Sequence, residues 1–307
     1  MTGPIALTGA TGFIGRHLAL ALAAAGNPVR ALVRRDEPRL AERGIELWRG
    51  DLGADLEGFV SDSPTVIHVA GAIRARDRGQ FHEINAQGAD RLARATRTGA
   101  RFVLISSLAA RHPGVSDYAA SKAAGEQLVL AQAGRLAVTV IRPPAVYGPE
   151  DRATLPLLRG LARGILLHPA VDARFSLLYA PDLVRLTLSV LADPPPDGTI
   201  LEPDDGTPAG YGWSDLAAIA AARLGRRVRR IGVPCAPLTW AAGLAEWRGR
   251  WAGEPPILSR GKVAELYHRD WVSDTQATAA LPHWQPKVRF GNGLVASLDW
   301  YRKAGWL

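Results

Sequence analysis

Three glycines at three-residue spacing constrain the fold of this chain more than any other feature. Gly9, Gly12 and Gly15 follow the apolar run Ile5 to Thr8 and open a helical pattern. The first glycine permits a tight turn, the second lets N–H groups approach a pyrophosphate, and the third allows close helix-to-strand packing. The positive end of the helix then faces the anion. A dinucleotide cradle is predicted, with these candidates: Thr8, Gly9, Thr11, Gly12, Phe13, Ile14 and Gly15.

The first 150 residues alternate short apolar runs with longer helical patterns, as a parallel sheet covered on both faces requires. The candidate strands are Ile5–Thr8, Val29–Val33, Ile45–Trp48, Thr65–Val69, Phe102–Ser106 and Val138–Arg142. The best-defined helix runs from Tyr118 to about Ala133 and is closed by Gly134. The glycine spacing matches the general G-x-G-x-x-G fingerprint only loosely, so a purely structural turn is the alternative. The predicted fold class is α/β, a Rossmann doubly wound parallel sheet with a smaller C-terminal portion.

After Pro149 the chain changes to helices separated by Pro- and Gly-rich segments, such as residues 193–198 and 203–212. We expect residues 1–150 to form the dinucleotide-binding core and residues 151–307 to form mostly a substrate-binding portion across the carboxyl ends of the strands. The later portion is rich in tryptophan, which is more often packing than ligand platform. These tryptophans are Trp213, Trp240, Trp247, Trp251, Trp271 and Trp284.

Composition favours a cytoplasmic globular protein without a metal centre. Hydrophobic residues make up 47% of the chain, and we find no secretion signal and no run long enough to span a membrane. The single cysteine, Cys235, cannot form an internal disulfide, and no Cys/His cluster has metal-ligand spacing.

The net charge of +8 and the isoelectric point near 10.1 suit an anionic ligand or surface, but the excess is spread along the chain. We therefore expect no nucleic-acid partner. The dense group is Arg223, Arg226, Arg227, Arg229 and Arg230. The favoured interpretation is a solvated helix end followed by an edge strand, with a basic docking surface as the alternative.

The residues at the end of the second strand are expected to contact the adenosine ribose of the cofactor. A plain NAD site commonly carries an acidic residue there, whereas this chain has Arg34 and Arg35. A guanidinium fork suits a 2′-phosphate, so NADP(H) is favoured, NAD(H) stays open, and solvated surface arginines are the competing interpretation. After the third and fourth strands, Asp51-Leu52 suits the adenine edge and Ala70-Gly71 lets the backbone pass close to the cofactor.

A proton-transfer group is predicted about a hundred residues later. Tyr118 and Lys122 lie four residues apart, on one face of a helix, so the ammonium sits beside the phenol. A nearby cation favours the phenolate and should lower the phenol pKa. Tyr118 then donates a proton to a carbonyl oxygen or accepts one from an alcohol. Ser107, at the end of the preceding strand, can hold the substrate oxygen.

In the order and spacing of these motifs, the chain resembles the extended short-chain dehydrogenase/reductases, which include nucleotide-sugar epimerases and dehydratases, dihydroflavonol reductases and 3β-hydroxysteroid dehydrogenases. The resemblance extends to the segments 68–71, 142–149 and 178–183. It implies that Ser107, Tyr118 and Lys122 form the catalytic triad, that Asn85 helps to place the lysine, and that Pro143 and Val146 line the nicotinamide site. It also implies return segments to the sheet near residues 175–192 and a homodimer through the Tyr118-bearing helix and its predecessor.

The leading function is an NAD(P)-dependent oxidoreductase acting on a carbonyl or secondary alcohol of a small molecule. A nucleotide-sugar epimerase or dehydratase holding NAD tightly is the enzyme alternative. It would need cations for a second pyrophosphate, for which Arg142, Arg174 and Arg260 are candidates. The short interval between Ser107 and Tyr118 weakens that alternative. A non-catalytic dinucleotide-binding accessory or sensor protein is the alternative of another class.

The segment Pro237 to Trp247 is apolar and has arginines on both sides. A buried helix of the C-terminal portion is the favoured interpretation. A helix that lies on a membrane surface is the alternative.

Overall fold

The computed structural model describes residues 3–307, apart from the side chain of Arg250. At its centre is a parallel sheet of seven strands in the order β11-β6-β5-β4-β1-β2-β3. The strands of this sheet are β1 Ile5–Thr8, β2 Val29–Val33, β3 Glu46–Arg49, β4 Thr65–His68, β5 Arg101–Ile105, β6 Ala137–Ile141 and β11 Thr199–Leu201. The six predicted strands are confirmed to within one residue at each end, and β11 is an addition.

Helices cover both faces of this sheet, and others lie in the later part of the chain. The helices are α1 Phe13–Ala24, α2 Pro38–Ala41, α3 Glu57–Val60, α4 Arg78–His82, α5 Gly88–Ala95, α6 Asp117–Leu130, α7 Leu155–Ala162, α8 Ala180–Ala192, α9 Trp213–Leu224, α10 Cys235–Ala252, α11 Arg260–Tyr267, α12 Gln276–Ala279 and α13 Phe290–Lys303. One core cluster joins α1 and α8 to the sheet through residues such as Leu18 and Leu183. A second, on the other face, joins α5 and α6 through Leu92 and Val129. The predicted Rossmann-type fold is confirmed.

The strand order reverses direction between β1 and β4. Strands β2 and β3 lie on one side of β1, and β4, β5 and β6 follow on the other. In open α/β sheets the crevice at such a switch point, beyond the carboxyl ends of the strands, is where ligands bind. The glycine turn after β1 and the Ala70-Gly71 pair after β4 therefore meet at one place.

The later part of the chain forms three two-stranded parallel sheets around a separate aromatic core. The remaining strands are β7 Ala145–Tyr147, β8 Ile165–Pro169, β9 Arg174–Phe175, β10 Leu177–Tyr179, β12 Arg229–Val233 and β13 Asp270–Trp271. They pair as β7 with β10, β8 with β12 and β9 with β13. Tyr147, Phe290 and Tyr301 are buried among α7, α9 and α13. Helix α8 and β11 bring the chain back to the central sheet.

The arginine group lies where the charge pattern predicts it. Arg223 is in the last turn of α9, and Arg229 and Arg230 begin β12, with exposed side chains. The predicted helix end and following strand are therefore confirmed, whereas the basic docking surface stays a prediction. No helix within residues 3–307 is both long and apolar enough to cross a membrane.

The expectation of a buried helix over Pro237–Trp247 is wrong. This segment belongs to α10, in which Trp240 is 83% exposed and Trp247 58% exposed. The buried side of the helix is made of small residues such as Ala242, and this side packs against α11. The large apolar residues lie on the opposite side, where no other described element covers them.

Candidate active site

The glycine turn after β1 lies so close to neighbouring backbone that its first and last glycines leave no room for a side chain. Gly9 has φ +76°, and a Cβ placed there would lie 2.6 Å from the backbone nitrogen of Ala70. A Cβ on Gly15 would lie 2.0 Å from the carbonyl oxygen of Gly9. The Gly12 N–H donates to the Gly9 carbonyl at 2.9 Å and closes the turn. Positions 9 and 15 therefore require glycine, as the predicted cradle demands.

The amino end of α1 offers its N–H groups to an anion. Gly12 caps the helix without any side-chain hydrogen bond, and none of the described first-turn residues is acidic. Unpaired N–H groups and the positive end of the helix dipole favour phosphate at this point. The cradle thus fits the pyrophosphate of a dinucleotide.

Thr8 joins the ends of β1 and β4 beneath the cradle. Its Oγ1 accepts the N–H groups of Val69 and Ala70, each at 3.2 Å, and lies 2.7 Å from Nδ1 of His68. Because Oγ1 already accepts two hydrogen bonds, its proton is donated to Nδ1, and the His68 ring carries its proton on Nε2. Burial lowers the pKa of His68 to about 3, with a smaller contribution from Lys122, so the ring stays neutral. Sequence reasoning noted His68 as part of a motif and missed this role.

The ribose end of the groove contains arginines after β2. Arg34 lines the groove together with Arg39, which sequence reasoning did not single out, whereas Arg35 is exposed outside it. The signal that could have found Arg39 is its place in α2, the helix that follows β2. Asp51 and Leu52 line the same end, and the Asp51 carboxylate accepts the Gly53 N–H at 2.8 Å.

Ser107 and Tyr118 meet at the middle of the groove, and both line it. Ser107 lies two residues after β5 and caps a short 3-10 helix, Leu108–Arg111, with its Oγ 3.2 Å from the Ala109 nitrogen. Tyr118 lies in the first turn of α6, which Ser116 caps through the Ala119 N–H. The Ser107 hydroxyl lies close enough to the Tyr118 phenol to oppose the rise in its pKa. The two side chains therefore lie at the same place in the groove.

The pKa expected for Tyr118 is corrected by the structure. Burial raises the pKa of Tyr118 to about 12, Ser107 opposes this rise, and the Glu265 carboxylate adds to it. The predicted lowering by a neighbouring ammonium is wrong for the protein alone, because removal from water outweighs the favourable contacts. At neutral pH the phenol is protonated, which makes it a proton donor.

Lys122 lies one turn further along α6 and is buried. Its Nζ donates to the carbonyl oxygen of Ile105 at 3.1 Å. Burial lowers the pKa of Lys122 to about 8, and the Glu126 carboxylate partly opposes that shift. A Cβ built on Gly71 would lie 3.8 Å from Nζ of Lys122. The ammonium therefore faces the backbone beside the cofactor groove. Gly71 and Ala70 also line the groove.

Asn85 lies in a π-helical turn, Glu83–Gln87, between α4 and α5. Its Oδ1 accepts the Ala72 N–H at 2.7 Å, and its Nδ2 donates to the Ala72 carbonyl at 3.0 Å and to Ser121 Oγ at 2.9 Å. Ser121 directly precedes Lys122 in α6. Asn85 therefore links the loop after β4 to the helix that carries the lysine.

The groove that contains Ser107 and Tyr118 is large. Its total volume is about 1970 Å³, more than a single small ligand needs. Its lining includes the predicted Pro143 and Val146. Residues of the later part of the chain also line it, the apolar Leu167, Phe175, Leu177, Trp213, Leu238 and Trp271 and the charged or polar Lys262, Glu265 and His268. Of the C-terminal tryptophans, Trp284 is buried packing, whereas Trp240 and Trp251 are exposed.

The three arginines suggested for a second pyrophosphate each have a carboxylate partner within the protein. Arg142 pairs with Glu126 at 2.6 Å and with Glu202 at 3.2 Å, beneath the sheet end. Arg174 pairs with Asp215 at 2.8 Å and also donates to backbone carbonyls. Arg260 is exposed and lies 3.9 Å from Glu246.

The profile of the NAD-dependent epimerase/dehydratase family matches residues 5–200. The chain belongs to this family. One similar protein is a ceramide reductase of Caulobacter vibrioides. It is 38% identical over 314 residues, and the alignment covers 99% of this chain and 96% of that protein. UDP-glucose 4-epimerase of Vibrio cholerae is 30% identical over 339 residues, with 99% and 97% covered. Both lie within the extended short-chain dehydrogenase/reductases, so the resemblance found in the motifs is confirmed.

Among solved structures, MoeE5 in complex with UDP-glucuronic acid and NAD superimposes with a TM-score of 0.75 at 21% identity, covering 98% of this chain and 100% of that one. This likeness shows the fold. With the family and the reductase relatives, the chain is an NAD(P)-dependent oxidoreductase of the epimerase/dehydratase family. The non-catalytic alternative gains no support.

Proposed function

We propose that this chain is an NADPH-dependent reductase of a long-chain ketone. The observation that carries the proposal is that Ser107 and Tyr118 line one groove together with the glycine cradle and with apolar side chains such as Trp213. A carbonyl held by these two residues would have a pyridine nucleotide on one side and apolar side chains on the other.

Each residue of the site has a separate task in reduction. The reduced nicotinamide, when bound, supplies the hydride. Ser107 binds the carbonyl oxygen, and Tyr118 donates its phenolic proton to that oxygen as negative charge develops. Lys122, one turn further along α6, carries a positive charge that stabilises the phenolate that is left. Asn85 keeps the lysine helix in place through Ser121.

The substrate class is proposed from the lining of the groove. Phe175, Leu177 and Trp213 present apolar surface of the kind that binds acyl chains rather than sugars. The Caulobacter relative is a ceramide reductase, and a ceramide carries a secondary hydroxyl that reduction of a ketone would produce. We therefore propose an N-acylated long-chain amino ketone as substrate.

The choice of NADPH rests on Arg34 and Arg39. Both line the ribose end of the groove and are exposed, so they are free to contact a 2′-phosphate. The same proposal includes Arg35 only as a general positive charge nearby. The homodimer through α6 stays a prediction.

The test follows NADPH oxidation by absorbance with an N-acylated long-chain amino ketone in detergent micelles. Turnover with NADPH, slower turnover with NADH, and formation of the alcohol by mass spectrometry are expected. UDP-glucose serves as the control, with UDP-galactose formation measured in parallel. Epimerisation of UDP-glucose without ketone reduction would overturn the proposal in favour of the nucleotide-sugar alternative.

A further inference from the structure

One side of α10 forms a stripe of large apolar residues that face solvent. Trp240, Leu244, Trp247 and Trp251 recur every three or four residues and so lie on one side of the helix. They are 83%, 59%, 58% and 81% exposed, and the rings of Trp247 and Trp251 contact each other. Monomeric soluble proteins rarely leave such an apolar patch without a function.

The other side of α10 faces the protein. Ala242 is buried, Leu238 lines the apolar groove, and the helix packs against α11. Helix α10 is therefore a wall of the groove, with an apolar surface towards the substrate region and another towards solvent.

The surroundings of this stripe are strongly basic. Between residues 223 and 253 the sequence has seven arginines and one glutamate, a net charge of +6 where the whole chain has +8. Arg229 and Arg230 are exposed on β12 and make no ion pair with any described residue.

The paired strands β8 and β12 add apolar surface to this side. Ile231 and Leu167 are register partners, and both are exposed. Leu167 also lines the groove, so the apolar surface reaches the groove mouth.

We propose that α10 and the outer side of the β8–β12 pair dock on an anionic phospholipid bilayer. Indoles are favoured at the boundary between headgroups and acyl chains, and arginines are attracted to anionic headgroups. A second copy of this chain is a poor partner, because it would bring a segment of +6 against another of +6. An anionic surface complements this charge.

Docking places the groove mouth beside the membrane. A long-chain ketone then passes from the bilayer along the inner side of α10 to Ser107 and Tyr118. The docking stands on the α10 surface alone, whereas the lipid route rests on the proposed function.

The first test is flotation of the full chain with two kinds of vesicle, phosphatidylcholine alone and an equal mixture with phosphatidylglycerol. The wild-type protein floats with the anionic vesicles. Trp240→Ser/Trp251→Ser weakens the partition by about a hundredfold, and Trp240→Phe/Trp251→Phe, which keeps apolar rings, by no more than about threefold. Wild-type protein that stays at the bottom of the gradient overturns the docking.

The arginines are tested in the same way. Arg229 shares a face of β12 with Ile231, so Arg229→Gln weakens partition by about fivefold, or about 1 kcal/mol. The matched control is Arg43→Gln, which removes an exposed arginine near the amino end of β3 and leaves partition within about twofold. Equal losses in both variants would mean a non-specific charge effect and would overturn the docking surface.

Two further measurements separate the possible outcomes. NADPH titration shows that each variant is folded. Sedimentation shows whether the tryptophan substitutions dissociate a dimer, a result that would assign the surface to a second copy of the chain instead. Turnover of a short-chain soluble ketone tests the proposed function without vesicles. Flotation without ketone reduction removes the proposed function and the lipid route and leaves the docking. Reduction without flotation removes the docking and the lipid route and leaves the proposed function.

Discussion

Two regions of this molecule are held together in different ways. They are the first 150 residues, which we propose hold the cofactor and call the cofactor half, and the later residues, which we propose bind the substrate and call the substrate half. The cofactor half is one continuous parallel sheet in which backbone meets backbone, so closely that Gly9 and Gly15 leave no room for a Cβ. The substrate half consists of three separate strand pairs and an aromatic core, and it leaves the tryptophans of α10 in solvent. The comparison teaches that the proposed cofactor cradle is shaped by backbone packed against backbone, whereas the proposed substrate side of the groove is shaped by side chains.

The largest effect on cofactor affinity is expected from Gly15→Ala. A Cβ at this position would lie 2.0 Å from the Gly9 carbonyl oxygen, so the cradle must open. We expect NADPH affinity to fall by about a hundredfold or more, measured by calorimetry. Gly114→Ala is the matched control, because nothing lies within 4 Å of its Cβ position, and its affinity should equal wild type. Tight NADPH binding by Gly15→Ala would break the account of the cofactor half.

A pH profile tests the buried ammonium next. Because burial lowers the pKa of Lys122 to about 8, the ammonium loses its proton as pH rises through that value. We expect kcat/KM for ketone reduction to be constant below pH 8 and to fall about tenfold per pH unit above it. In Lys122→Arg the guanidinium stays charged, so the lower absolute rate should show no such fall. An unchanged alkaline limb in that variant would assign it to another group.

The cofactor half was predictable from the sequence because its requirements are local. A turn that tolerates only glycine, a strand of apolar residues and a Tyr–Lys pair at helical spacing each appear within a few positions. The pKa of Tyr118 was not predictable, since it depends on burial that arises from distant segments, including Glu265.

The substrate half resisted prediction for a related reason. An apolar segment such as Pro237–Trp247 shows that apolar surface exists, but its burial depends on whether another element covers it. Likewise, the sequence alone does not show that Arg142 forms ion pairs with Glu126 and Glu202 and is therefore not a free cation.

Arg34 and Arg35 offer a smaller test within the cofactor half. Arg34 lines the groove and Arg35 does not, so Arg34→Ala should weaken NADPH by about tenfold to a hundredfold and NADH little. Arg35→Ala is the control and should change both affinities by less than about threefold. Titration of both nucleotides with both variants measures this. Equal losses for NADPH and NADH would mean that Arg34 never meets the 2′-phosphate.

The smallest effect is expected on stability at Trp240. This side chain is 83% exposed, so Trp240→Ala should change the free energy of unfolding by less than about 0.5 kcal/mol. Trp284 is 9% exposed in the core beside α8, and Trp284→Ala should lower the same quantity by about 3 to 5 kcal/mol. Urea unfolding compares the two. Similar losses would show that α10 is packed more tightly than described.

The central claim is that a protonated phenol at Tyr118 delivers the proton during carbonyl reduction. It is tested most directly by turnover of the long-chain ketone and NADPH affinity in Tyr118→Phe, which keeps the ring and removes the hydroxyl. The account predicts that kcat falls by about a thousandfold while the NADPH dissociation constant changes by less than about twofold. Wild-type kcat in this variant would contradict it.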